Sequence, residues 1–144
     1  MMKGRQAQRA LRDLCFSQGV EFEPRQVESL LRYVTSARAV WTTGPVVAEV
    51  FHHLERAAGQ DFPSLLVNIR ARLPAPTLFC QEWSACLASP EADKFGATDA
   101  SVLHAVRRIP QARLVIQDHR LHGWCRRKGL PVVTCFELAH TLSW

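Results

Sequence analysis

Hydrophobic positions recur along this chain at two different spacings, and the switch between them sketches the order of its elements. In residues 5–17, Ala7, Ala10, Leu11, Leu14 and Cys15 fall at helical intervals, and Gly19 follows as a left-handed stop. This predicts a first helix. Behind Pro24, Val27, Leu30, Leu31 and Val34 repeat at the i, i+3, i+4, i+7 spacing of one buried face, which predicts a second helix to about Ser36. Ala39-Val40-Trp41-Thr42 is short, apolar and β-branched. It reads as a strand, and Thr43-Gly44-Pro45 turns it directly into a helix that sends Val46, Val47, Val50, Phe51 and Leu54 inward.

Between residues 61 and 90 the chain is punctuated by Pro63, Pro74, Pro76 and Pro90, leaving room for two short helices over residues 64–73 and 79–87 that carry no evident chemistry. Thr98 then stands as the N-cap of a helix whose apolar positions are Ala100, Val102, Leu103 and Val106. Residues 112–117 form an apolar run that ends at Asp118. A helix to Lys128, a Gly129 stop, a last strand over 130–134 and a closing helix over 136–142 complete the chain. Strands alternating with helices at this spacing predict an α/β domain: a parallel sheet flanked by helices, with right-handed crossovers. No repeat, low-complexity tract or second domain interrupts the 144 residues.

A 47% hydrophobic content is enough for one core, and the formal net charge of +5, mostly from scattered arginines, favours a polyanion such as nucleic acid without requiring one. Cys15, Cys80, Cys86, Cys125 and Cys135 form no C-x-x-C pair, and their odd number argues against a disulfide framework. A reducing compartment follows. No apolar run approaches the roughly 20 residues that cross a bilayer, and residues 1–19 lack the features of a signal peptide, so the expected location is cytoplasmic by default.

Open parallel sheets build their sites at the carboxyl ends of the strands. Three acids fall near that edge. Asp118 ends one strand, Asp99 opens the helix before it, and Glu49 lies about one turn into the helix after the Val40–Thr42 stretch. Carboxylates gathered in one place repel one another unless a cation neutralises them, and oxygen-only ligands favour Mg²⁺ or Mn²⁺. Each acid also has a plainer reading: Asp99 as a helix cap, Asp118 as the brace of a turn, Glu49 on a solvated face.

The wording around these acids narrows the choice. The stretch Phe95-Gly96-Ala97-Thr98-Asp99-Ala100-Ser101-Val102-Leu103-His104-Ala105, then Leu114-Val115-Ile116-Gln117-Asp118-His119-Arg120-Leu121, then Lys128-Gly129-Leu130-Pro131-Val132-Val133-Thr134, closely resembles the second half of PIN domains. Upstream, Val40-Trp41-Thr42-Thr43-Gly44-Pro45-Val46-Val47-Ala48-Glu49-Val50 looks like that family's strand, turn and helix presenting an acidic Glu. The resemblance covers roughly residues 38–142, with a divergent middle and residues 1–37 as a helical lead-in. It implies a three-layer domain in which Glu49, Asp99 and Asp118 are catalytic, as metal ligands or as holders of the metal's waters. It further implies an Mg²⁺- or Mn²⁺-dependent endoribonuclease like the toxins of toxin–antitoxin pairs. RNA, an antitoxin-like protein and a second copy of the chain are the partners it points to, with no membrane.

Two departures stand against a full carry-over. Ile116 occupies a position where the family usually has Thr or Ser, and no strand bearing the family's first Asp is evident, since Asp13 lies in a stretch that reads as helix. Either such a strand precedes Met1, or the sheet closes another way, with Gly19-Val20-Glu21-Phe22 as the substitute. A site short of one acid predicts weak cleavage needing millimolar-scale Mn²⁺. The alternative function is a catalytically impaired PIN-like module that binds RNA or a protein.

Other residues carry less. His52 and His53 diverge as helix neighbours and cannot share a metal, and His119 with Arg120 could touch a phosphate backbone. Arg107, Arg108, Arg113, Arg126, Arg127 and Lys128 make an electrostatic footprint only if they share a face. Cys125 near His122 lacks the third group that would activate a thiol, and Trp41, Trp83, Trp124 and Trp144 stand too far apart in sequence to read as a stacking platform.

Overall fold

A computed structural model describes residues 24–72 and 75–141. The first predicted helix, together with Asp13, Cys15 and the 19–22 stretch, lies outside the described residues. The second predicted helix is α1 (Pro24–Ser36). It leads to strand β1 (Trp41–Thr43) and helix α2 (Gly44–Ala58), which has a proline in its first turn, where no backbone donor is lost. A single 3₁₀ turn (Gly59–Asp61) joins α2 to α3 (Phe62–Arg72).

The middle of the chain departs from its expected form. Strand β2 (Thr77–Phe79) stands where a helix was expected to begin, and α4 (Trp83–Leu87) and α5 (Pro90–Phe95) follow it. Three residues are too few for an alternating pattern to announce a strand. Ser89 caps α5, its Oγ accepting from Ala92 N at 3.3 Å.

The remainder follows the expected order: α6 (Ala97–Arg108), β3 (Leu114–Val115), α7 (His119–Arg127), β4 (Val132–Val133) and α8 (Cys135–Thr141). Thr98 is not the cap of α6. Gly96 takes that position at φ 90°, and Thr98 sits inside the first turn with its carbonyl accepting from Ser101 Oγ. Gly129, at φ 69°, turns the chain out of α7 as expected of a left-handed glycine.

The strands are parallel, as predicted, and very short. β1 pairs with β2 in the register Trp41 to Thr77, and β3 pairs with β4 in the register Leu114 to Val132. Among the described residues these are two two-stranded sheets rather than one continuous sheet. Helix α6 unites them, since it packs against both β1 and β3 as well as α2, α4 and α5. That central place explains why Ala100, Ser101, Leu103, Ala105 and Val106 are all buried: a helix covered on several sides loses its polar face.

The main cluster joins Leu103, Leu121, Cys125 and Val132, with Phe95, Leu114, Ile116, Trp124 and Leu130 packed around it. Val132 and Val133 are both buried, and successive strand side chains point to opposite faces, so the β3–β4 pair is covered on both sides. A second buried group, Val27, Cys135, Leu138 and Ala139, belongs to α1 and α8, which pack together. Of the residues expected to turn inward on α2, only Leu54 is fully buried. Val50 and Phe51 are 38% and 45% exposed; among the described residues α2 packs mainly against the three-residue β1, the 3₁₀ turn, α3 and α6.

Candidate acidic site

The elements that carry the three acids are joined by one buried contact. Thr43, the last residue of β1, and Ser101, in the second turn of α6, share a hydroxyl–hydroxyl bond of 2.6 Å. Ser101 Oγ also donates to Thr98 O at 2.6 Å, which uses its single proton, so Thr43 Oγ1 is the donor to Ser101. The pair bolts the start of α2 to the start of α6. Glu49 and Asp99 stand on those two helices, within a few residues of the bolt.

Asp118 is fixed differently. It is the N-cap of α7, its Oδ1 accepting from Leu121 N at 2.9 Å, so the plainer reading of a turn-bracing Asp describes part of its work. One carboxylate oxygen remains for other partners. Next to it, Gln117 Oε1 accepts from Cys135 N at 3.1 Å, which ties the exit of β3 to the start of α8. The start of α8 is itself a capping box: Thr134 N donates to Glu137 Oε2 at 2.9 Å, and Glu137 N donates to Thr134 Oγ1 at 3.1 Å. Glu137 Oε1 also lies 3.4 Å from His122 Nε2 and 3.5 Å from Arg126 Nη1, both on α7. The first of these lacks hydrogen-bond alignment.

Asp99 lies in the first turn of α6, partly buried, and burial pushes its carboxyl above the ordinary range. The negative charges of Asp118 and then Glu49 push it further in the same direction. Asp99 thus sits within electrostatic reach of both other acids. Glu49 is exposed and faces His53 Nε2 at 3.9 Å, one helical turn on, while His52 points to solvent. Among the described residues no three His, Cys, Asp or Glu side chains close into one group able to hold a metal ion directly. Ile116 packs into the main cluster, so its side chain offers nothing to the acidic edge.

Of the basic residues of the last third, Arg107 and Lys128 come together over the Trp124 ring, and the helix ends that carry most of the others lie away from the acidic edge. Arg107 and Arg108 end α6, and Arg126 and Arg127 end α7, whereas Asp99 and Asp118 begin those helices. At a rise of about 1.5 Å per residue the two charges are separated along each axis by about 12 Å. Cys125 has zero exposure, and burial raises its thiol, so it lacks both the thiolate and the reach of a nucleophile. Sequence reasoning missed the Thr43–Ser101 bolt, for which two small polar residues 58 positions apart give no signal. It also missed the Thr134–Glu137 box, which the T-x-x-E spacing does announce.

No protein-family model, no curated protein and no solved structure matches this chain.

Proposed function

We propose that the chain is a metal-dependent endoribonuclease of PIN-domain type, with a three-layer PIN-like fold and a working place like that of toxin–antitoxin toxins. The observation that carries this reading is the half-buried Asp99, held by the fold within reach of two further negative charges. A buried acid flanked by like charges is a poor structural element, and a cation would relieve it. The donor set is all oxygen, which suits Mg²⁺ or Mn²⁺, and because such a metal keeps part of its hydration shell the acids could act through its waters.

Such an ion would activate water and stabilise the charge developing on a phosphodiester. The chain's own residues supply the rest. Asp99 gives the least solvated carboxylate, Asp118 offers the oxygen its cap leaves unused, and Glu49 adds a third negative charge from α2. The Thr43–Ser101 bolt keeps α2 and α6 in fixed relation.

A second reading has one observation in its favour. Ile116 is committed to the core at the position where a polar side chain would complete the site, so the same fold also suits an impaired module that binds RNA or a protein without cutting. RNA cleavage with and without Mn²⁺, run on the wild type beside Asp99→Asn, separates the two. Mn²⁺-dependent cleavage that Asp99→Asn abolishes supports the enzyme. Cleavage by neither protein overturns it.

A further inference from the structure

One face of α5 and α7 alternates cations with aromatic rings. Lys94 Nζ lies 5.4 Å and Arg120 Cζ 5.3 Å from the centre of the Phe95 ring. Phe95 in turn meets Trp124 edge to face at 5.5 Å, and Arg107 Cζ and Lys128 Nζ lie 5.8 and 6.0 Å from the Trp124 ring. The rings are half-buried, resting on the main cluster, and all four cations are exposed. One carboxylate answers them: Glu91 pairs with Arg107 at 2.7 Å.

The row has a direction. It begins at Arg120, two positions after Asp118, and ends at Lys128, the C-cap of α7, about 12 Å further along the axis. Helix dipoles account for Lys94, Arg107 and Lys128, which stand at the carboxyl ends of their helices. They do not account for Arg120. It occupies the first turn of α7, where the dipole disfavours a cation, and it is held there by donating to Lys94 O at 3.2 Å over the Phe95 ring.

We propose that Lys94, Phe95, Arg107, Arg120, Trp124 and Lys128 form a track for single-stranded RNA that leads away from Asp118 along α7. Cations interleaved with half-exposed rings are the arrangement that grips a single strand, the charges following the backbone and the rings offering faces to bases. The rings also hold the flexible Lys and Arg heads in place before the strand arrives. The choice of RNA rests on the proposed nuclease function. The track itself rests on the geometry of the row.

The test is fluorescence anisotropy of a short labelled oligouridine in EDTA, where neither metal nor cleavage enters. Arg120→Gln with Lys128→Gln is compared with Arg56→Gln with Arg70→Gln, a pair on α2 and α3 that removes the same charge elsewhere. The track pair is expected to bind about tenfold more weakly at moderate salt and to lower the log–log salt slope by about 1.4, roughly 0.7 for each lost phosphate contact. The control pair should leave the slope unchanged. Because Arg120 also bonds to Lys94 O, Lys128→Gln alone is measured as a variant that breaks no hydrogen bond, with an expected slope loss of about 0.7. Equal binding by the two pairs, an unchanged slope in Lys128→Gln, or no binding by the wild type at low salt overturns the track, whatever the cleavage assay gives. Track-dependent binding without cleavage in Mn²⁺ supports the track and overturns the nuclease instead.

Discussion

Removing the bolt between Thr43 and Ser101 should reveal a coupling that neither residue's size would suggest. Both side chains are essentially fully buried, at 1% and 0% exposure. Thr43→Val keeps the shape and removes the donor, while Ser101 keeps its bond to Thr98 O, so the loss is one net hydrogen bond, about 0.5–1.5 kcal/mol. Ser101→Ala is worse. It strands the Thr43 hydroxyl with no partner in the core and takes a bond from Thr98 O, at about 1–3 kcal/mol. In the double variant no donor is stranded, so its cost should fall short of the sum of the singles by about 1 kcal/mol or more. Urea unfolding of the four proteins gives the cycle. For a chain of this size, 1 kcal/mol is about 2–4 °C in melting temperature, well within resolution. Costs that add to within about 0.5 kcal/mol would refute the proton assignment and the bolt with it.

Two further outcomes follow from titration. Because the Asp99 carboxyl is held above its ordinary value, the folded chain binds that proton more tightly than the unfolded chain, and stability falls as pH rises through the window between the ordinary and raised values. Asp99→Asn should therefore melt higher than the wild type at neutral pH without metal, with the difference vanishing below about pH 4; a lower neutral melting point contradicts the burial argument. Glu137 is the opposite case, held below its ordinary value first by the Thr134 N–H and then by His122 and Arg126. Its contribution is present at neutral pH and lost as pH falls through the lowered value. Glu137→Gln, which keeps the side chain's size and removes its charge, should cost about 1 kcal/mol at neutral pH by urea unfolding and less in acid, and a cost independent of pH would remove the charge from the explanation.

The sequence was most readable where periodicity is long. Helices α1, α6, α7 and α8 stand close to where the apolar spacing puts them, because each buries a face that repeats over about two turns or more, and the two-residue strands β3 and β4 fall within short apolar, β-branched runs between them. The middle was not readable. β2 has three residues between prolines, and its place is set by pairing with β1, a partner more than thirty residues away that local pattern cannot name. Inward residues on α2 were overcounted for a related reason: spacing shows that a face is apolar, and how much of it is covered depends on neighbours that local pattern cannot name. At the acidic edge, the spacing placed Asp99 at a helix start, where it is, and Asp118 directly at a strand end, whereas β3 stops at Val115 and Asp118 caps the helix that follows. Their mutual field depends on burial, which single residues do not disclose.

The central claim is that Glu49, Asp99 and Asp118 act as one cation site, and Mn²⁺ binding followed by the loss of the free-ion electron paramagnetic resonance signal tests it most directly. Wild type is titrated beside Glu49→Gln, Asp99→Asn and Asp118→Asn, the last chosen because Asn still caps α7. Each substitution removes one negative charge from the same field and is expected to weaken binding about tenfold, the usual scale of about 1.4 kcal/mol for one lost oxygen donor or outer-shell contact. Asp99→Asn should lose most, since its carboxylate is the least solvated. Four proteins that bind Mn²⁺ equally, or a wild type that binds none, would contradict the account.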